Sequence, residues 1–102
     1  MKERPVVLTD EAIDDIDAAT LFYRHQLDSL GDCFFDAILA DIESLRYFAG
    51  VHEIREGYFC MPAKRFPFSV YYDIEHVRVL VVAVLDMRQD PQYSVALLRE
   101  RR

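Results

Sequence analysis

Apolar residues recur every third or fourth position from residue 10 to residue 48, and every second position beyond residue 50. A β-prone run, Val6-Val7-Leu8, comes first. Ile13, Ile16, Thr20, Tyr23 and Leu27 then form one stripe, predicting a helix from Thr9 or Asp10 to about Leu27. Thr9 or Asp10 can cap it, Glu11 and Asp14 suit its first turn, and Asp14, Asp15 and Asp17 read as solvated charges on the opposite face. In Asp28-Ser29-Leu30-Gly31-Asp32, Gly31 reads as a breaker and Asp32 as the next cap. A second helix follows to about Phe48, with Phe34, Ile38, Ile42 and Leu45 as its core stripe, Phe35, Leu39 and Ala49 alongside, and Gly50 as its stop. So short a link makes the two helices an antiparallel hairpin.

Past Gly50 the period predicts a strand over 51–55, a turn at Glu56-Gly57 and a second strand over 58–61. A longer hairpin follows, its arms spanning 66–74 and 77–85 and its turn lying at Glu75-His76. On the first arm Phe66, Phe68, Val70 and Tyr72 share one face, and Ser69, Tyr71 and Asp73 the other. Pro67 cannot donate to a ladder, so this arm starts at an edge or bulge. The second arm is apolar apart from Arg78, as a strand buried on both faces would be. Pro91 opens a terminal helix over 92–100. The expected fold class is therefore α+β, in the order β-α-α-β-β-β(-α). The helical hairpin would cover one face of a mostly antiparallel sheet in a single domain, residues 1–102. The other face would be an open, concave surface, with Tyr71 as its exposed tyrosine.

Composition narrows the function classes. The chain has 102 residues, 52% of them hydrophobic, and a net charge of −6. Residues 1–50 carry −7 and residues 51–102 carry +1, so any basic patch must lie in the second half. The overall acidity argues against stable nucleic-acid binding. The longest apolar run, Val79 to Leu85, has seven residues where a bilayer span needs about 20, and the first residues hold no signal-peptide pattern; no membrane association and a cytoplasmic location are expected. Cys33, which precedes Phe34-Phe35, and Cys60, between Phe59 and Met61, read as buried reduced thiols. No metal-ligand spacing occurs, and neither metal nor cofactor is expected. His25, His52 and His76 have no nucleophile or second histidine nearby in sequence.

Four motifs carry a family resemblance: Leu8-Thr9-Asp10-Glu11-Ala12-Ile13-Asp14-Asp15-Ile16, Leu30-Gly31-Asp32-Cys33-Phe34, Arg65-Phe66-Pro67-Phe68 followed by Tyr71-Tyr72, and Arg88-Gln89-Asp90-Pro91. In order and spacing they resemble the RelE/ParE superfamily of type II toxin–antitoxin toxins, the ParE-like plasmid stabilisation proteins among them. The resemblance implies a toxin neutralised by a cognate antitoxin. ParE-like members inhibit DNA gyrase, whereas RelE-like members cut messenger RNA on the ribosome without a metal. A non-toxic, degenerate member acting as a binding module is a further alternative.

Departures from the family pattern bear on the choice. Asp86 stands where many relatives carry histidine, Gln89 where they carry arginine, and Phe59-Cys60 where they often carry arginines. Metal-free RNA cleavage needs a base and cations at the phosphate, so an enzyme is disfavoured. The candidates for a nuclease are Arg65, Asp86, Arg88 and Tyr93; those for partner binding are Arg65, Tyr71, Arg78, Arg88 and Tyr93. Arg65 and Arg88 either grip an anionic partner or pair with Asp73, Asp86 or Asp90. Tyr93 either stacks on a partner or packs internally. The tail with Arg99, Arg101 and Arg102 either binds an acidic partner or frays. An exposed helical hairpin could also support a homodimer.

Overall fold

The computed structural model describes residues 3–102. Strand β1 (Val6–Leu8) leads into helix α1 (Asp10–Gln26), and helix α2 (Asp28–Phe48) follows. Strands β2 (Glu53–Arg55), β3 (Tyr58–Pro62), β4 (Phe68–Glu75) and β5 (Arg78–Asp86) come next, and helix α3 (Pro91–Glu100) closes the chain. The five strands form one sheet in the order β1-β5-β4-β3-β2; β1 runs parallel to β5 and every other pair is antiparallel. The expected α+β order is borne out.

Local chemistry sets the helix starts. Thr9 caps α1, its hydroxyl accepting from the Ala12 N–H at 3.1 Å, and Asp90 caps α3 by accepting from Gln92 N–H at 2.9 Å ahead of Pro91. Between α1 and α2 only Leu27 is extended, and α2 begins at Asp28. Gly31 is therefore not a breaker but sits in the first turn of α2. A Cβ there would lie 2.8 Å from Arg24 Cβ and 3.1 Å from both Arg24 Cα and Thr20 O. The glycine lets the two helices touch along their backbones.

Two cores share the sheet. On the hairpin side, Ile16, Tyr23, Phe34, Ile38 and Leu45 pack against Phe68, Val70, Tyr72, Val79, Val81 and Val84. Tyr23, Phe34, Phe66 and Phe68 form its aromatic centre, with ring centroids 5.0 to 5.2 Å apart for four of the pairs. Ile13 and Leu27, expected on the α1 core stripe, are exposed, as are Phe35 and Leu39 beside the α2 stripe; Ala12 and Ala19 are buried instead. The turn of the long hairpin falls at His76-Val77, one residue later than expected, with Glu75 paired to Arg78.

The other face is not open. Helix α3 lies over it, and Leu98 packs with Tyr58, Cys60, Tyr71, Val82, Ala83 and Leu85 in the second core. A bulge makes this layer possible. Tyr71 pairs with Ala83 but Tyr72 with Val81, so Val82 has no partner on β4, and Val82 and Ala83 both join the α3-side core. Tyr71, expected at the surface, is only 4% exposed, because the face opposite the hairpin is covered by α3 rather than by water. Cys60 is buried as expected, but Cys33 is exposed on α2.

Gly31→Ala should destabilise the protein by about 1–3 kcal/mol, since the new methyl group meets backbone that must move. Urea unfolding checks this, and an unchanged midpoint would refute the close-packing role.

Candidate partner-binding groove

Strand β1 pairs with β5 only as far as Val81. Beyond that residue the outer edge of β5 has no strand neighbour, and backbone groups there need other partners. Two side chains from distant parts of the chain supply them. Asp15 Oδ2 accepts from the Val84 N–H at 3.0 Å, and Arg101 Nη1 donates to the Val82 carbonyl at 3.1 Å. The two also pair with each other, Nη1 to Oδ2 at 2.6 Å and Nη2 to Oδ1 at 2.9 Å, with side chains 10% and 15% exposed. Asp15 is thus not a solvated charge, and the tail arginine Arg101 neither frays nor awaits an external acid. The pair ties α1 to α3 across the end of the sheet.

This tie closes one end of a groove of about 400 Å³ between α1 and α3. Phe22 of α1, 52% exposed, forms one wall, and Tyr93 and Leu97 of α3 form the other. Asp86 and Gln89 stand at the far end. Asp86 is clamped by Arg88: its Oδ1 accepts from the Arg88 N–H at 2.8 Å and from Nε at 3.0 Å, and its Oδ2 accepts from Nη2 at 2.9 Å. These bonds, the side-chain bond foremost, hold the Asp86 carboxyl below the ordinary carboxylate range. A carboxylate so held is a weak base, and a guanidinium so paired is engaged within its own turn.

The remaining candidates do not converge on the groove. Arg65 is exposed and rims a separate shallow depression with Cys33 and Lys64. Arg78 opens β5 and binds Glu75 Oε1 at 3.1 Å across the hairpin turn. Along a nine-residue strand that is roughly 26 Å from Asp86. Arg65, Arg78 and Arg88 therefore do not rim one hollow. Tyr71 lies under α3, and burial, followed by the neighbouring Cys60, pushes its phenol up to about 12. Of the predicted site residues, only Asp86 and Tyr93 line the groove itself, with Arg88 reaching Asp86 from outside. His52 is partly buried, its Nδ1 lying 2.5 Å from the Tyr72 hydroxyl, which also accepts from Gly50 N–H at 2.9 Å. Burial lowers its pKa, and it serves the loop before β2.

Sequence reasoning missed Asp15, Phe22, Leu97 and Arg101. Phe22 was detectable as a large aromatic beside the α1 stripe but off it. The pairing of Asp15 with Arg101, 86 positions apart, left no local trace.

No protein-family model matches the chain, and no curated protein matches it. Among solved structures it is similar to a chain of "Chromosomal ParDE TA system from P. aeruginosa", with a TM-score of 0.77 and 16% identity over 84% of this chain and 98% of that one. The fold implied by the RelE/ParE resemblance is thus borne out. Among the described residues no helix is long and apolar enough to cross a membrane.

Asp15→Ala should cost about 3 kcal/mol, because it leaves Arg101 without its counter-charge and the Val84 N–H without an acceptor. Thermal unfolding measures it, and a loss below about 1 kcal/mol would assign the pair a surface role. Asp86 is more acidic in the folded than in the unfolded protein, so its contribution is present above the ordinary aspartate value of about 4 and fades as the pH falls through its lower folded value. Urea midpoints from pH 5 to pH 2 should drop more steeply for the native protein than for Asp86→Asn; parallel profiles would refute it.

Proposed function

We propose that this chain is the toxin of a type II toxin–antitoxin module, ParE-like, acting in the cytoplasm by protein–protein inhibition and neutralised by a cognate antitoxin. DNA gyrase is the target that the family resemblance implies. The reading is carried by one observation: an apolar-walled groove between α1 and α3, with Phe22 and Tyr93 exposed at its mouth. Aromatic walls around a groove of this kind suit an amphipathic polypeptide segment. The fold likeness to a ParDE-system chain supports the same reading.

Messenger RNA cleavage is less well supported. Arg88 is bound to Asp86, and Arg65 and Arg78 lie elsewhere, so the groove presents no cluster of unpaired cations to a phosphate. The Asp86 carboxyl, held below the ordinary carboxylate range by Arg88, is also unfit to accept a proton near neutrality.

Purified protein should inhibit gyrase supercoiling and leave ribosome-bound message uncut. Codon-position cleavage lost on Arg88→Ala would replace this reading with the ribonuclease one. Expression that never harms growth would replace it with a non-toxic binding module. Phe22→Glu, at an exposed position, should leave the fold intact and weaken capture of the antitoxin at least about tenfold, since a charge enters the apolar wall. Isothermal titration against the protein encoded beside it checks this.

A further inference from the structure

Strand β2 forms one edge of the sheet, and all three of its residues are exposed. It is held rigidly. Glu56 and Gly57 have φ of +51° and +82°, a two-residue turn of the left-handed kind that suits a tight hairpin. Arg99 Nε of α3 donates to Glu56 Oε1 at 3.0 Å, and Arg102, just past the end of α3, donates to the Glu56 carbonyl. In such a hairpin the closing pair, Arg55 and Tyr58, exchanges its backbone hydrogen bonds. The next pair, Ile54 and Phe59, does not, so the N–H and C=O of Ile54 point to the open edge.

An edge of this kind invites another strand, and natural edges are blunted by charge, lysine, proline or a bulge. Here the blunting charges are Glu53 and Arg55, which bridge each other at 3.5 Å with both side chains at least half exposed. Their order is self-complementary. If a second copy pairs antiparallel about Ile54, each Glu53 faces the other copy's Arg55, and the two Ile54 residues exchange both backbone hydrogen bonds. The pairs Glu53–Arg55 then fall at the closer, non-bonded spacing of about 4.5 Å between Cα atoms, where side chains interact best. A strand with like charges at these positions would be repelled; a second copy is not. The approach to the strand is also apolar and uncovered, with Phe48 51%, Val51 74% and Ile54 62% exposed.

We propose that β2 is a self-association edge, on which two copies of this chain join their sheets about a two-fold axis through Ile54. The contact requires neither the groove nor an antitoxin. Three residues a side place it among weak, reversible interfaces.

Charge exchange tests it directly. Sedimentation equilibrium of the purified chain, up to about 0.5 mM as suits a weak interface, should show a dimer. Glu53→Arg alone or Arg55→Glu alone should give monomer, because each sets like charges opposite one another. The double variant E53R/R55E should dimerise again. As a check that needs no variant, exchange of the Ile54 amide should slow as protein concentration rises. A native chain monomeric throughout the range would overturn the proposal, as would single variants that dimerise like the native protein. Loss of antitoxin binding in Glu53→Arg, with the native chain monomeric, would overturn it too and give the edge to the antitoxin.

Discussion

Between Arg78 and Asp86, β5 carries no polar side chain, and everything else in the fold answers that constraint. A strand of this composition is stable only when both faces are covered. The helical hairpin covers one face and β4 flanks the strand, but the second face is left to the last ten-residue helix. Helix α3 is therefore not an appendage; it completes the core. Because it is short and crosses only part of that face, it leaves grooves beside it, and the groove toward α1 is where an apolar partner has room.

The bulge at Val82 and the Asp15–Arg101 pair belong to the same solution. The bulge turns both Val82 and Ala83 toward α3, enlarging the apolar layer that the helix needs. It falls where β1 has run out, so the carbonyl of Val82 and the N–H of Val84 lack a ladder. A carboxylate from α1 and a guanidinium from α3 satisfy them, and each neutralises the other. Removing two charges from water is costly, and the geometry repays it only because both also bind backbone. One pair thus seals the sheet edge, fixes α3 and shapes the end of the groove.

Much of this was legible in the chain. The two helical stripes, the change of period after Gly50, the alternation on β4 and the continuous apolar run of β5 each follow from local pattern, and the element order followed from them. Failures cluster where the determinant is not local. Gly31 looks like a stop because glycine usually is one, whereas its use here is set by Arg24 on the facing helix. Tyr71 was placed on the correct face by alternation, but whether that face meets water depends on where α3 docks. Among the site residues, Asp86 and Tyr93 could be marked from the turn they flank. Asp15 and Arg101 could not, because a charge among acidic neighbours and a charge in a basic tail are each ordinary until the fold joins them.

The arginines decide what kind of recognition remains. Arg24, Arg46, Arg55, Arg78, Arg88, Arg99 and Arg101 each lie within ion-pair distance of a carboxylate of the same chain. Most of these bridges are exposed and add little stability. Their effect is on the field: each of these seven cations is matched at short range, which leaves Lys64, Arg65 and Arg102 of the second half without such a bridge among the described residues. A polyanion gripped by the paired arginines would have to break those bridges, at the edge of a protein carrying −6 overall. An apolar segment or a strand edge breaks none of them. The aromatic walls of the groove and the outward backbone of Ile54 are the features of this fold that another polypeptide is built to match.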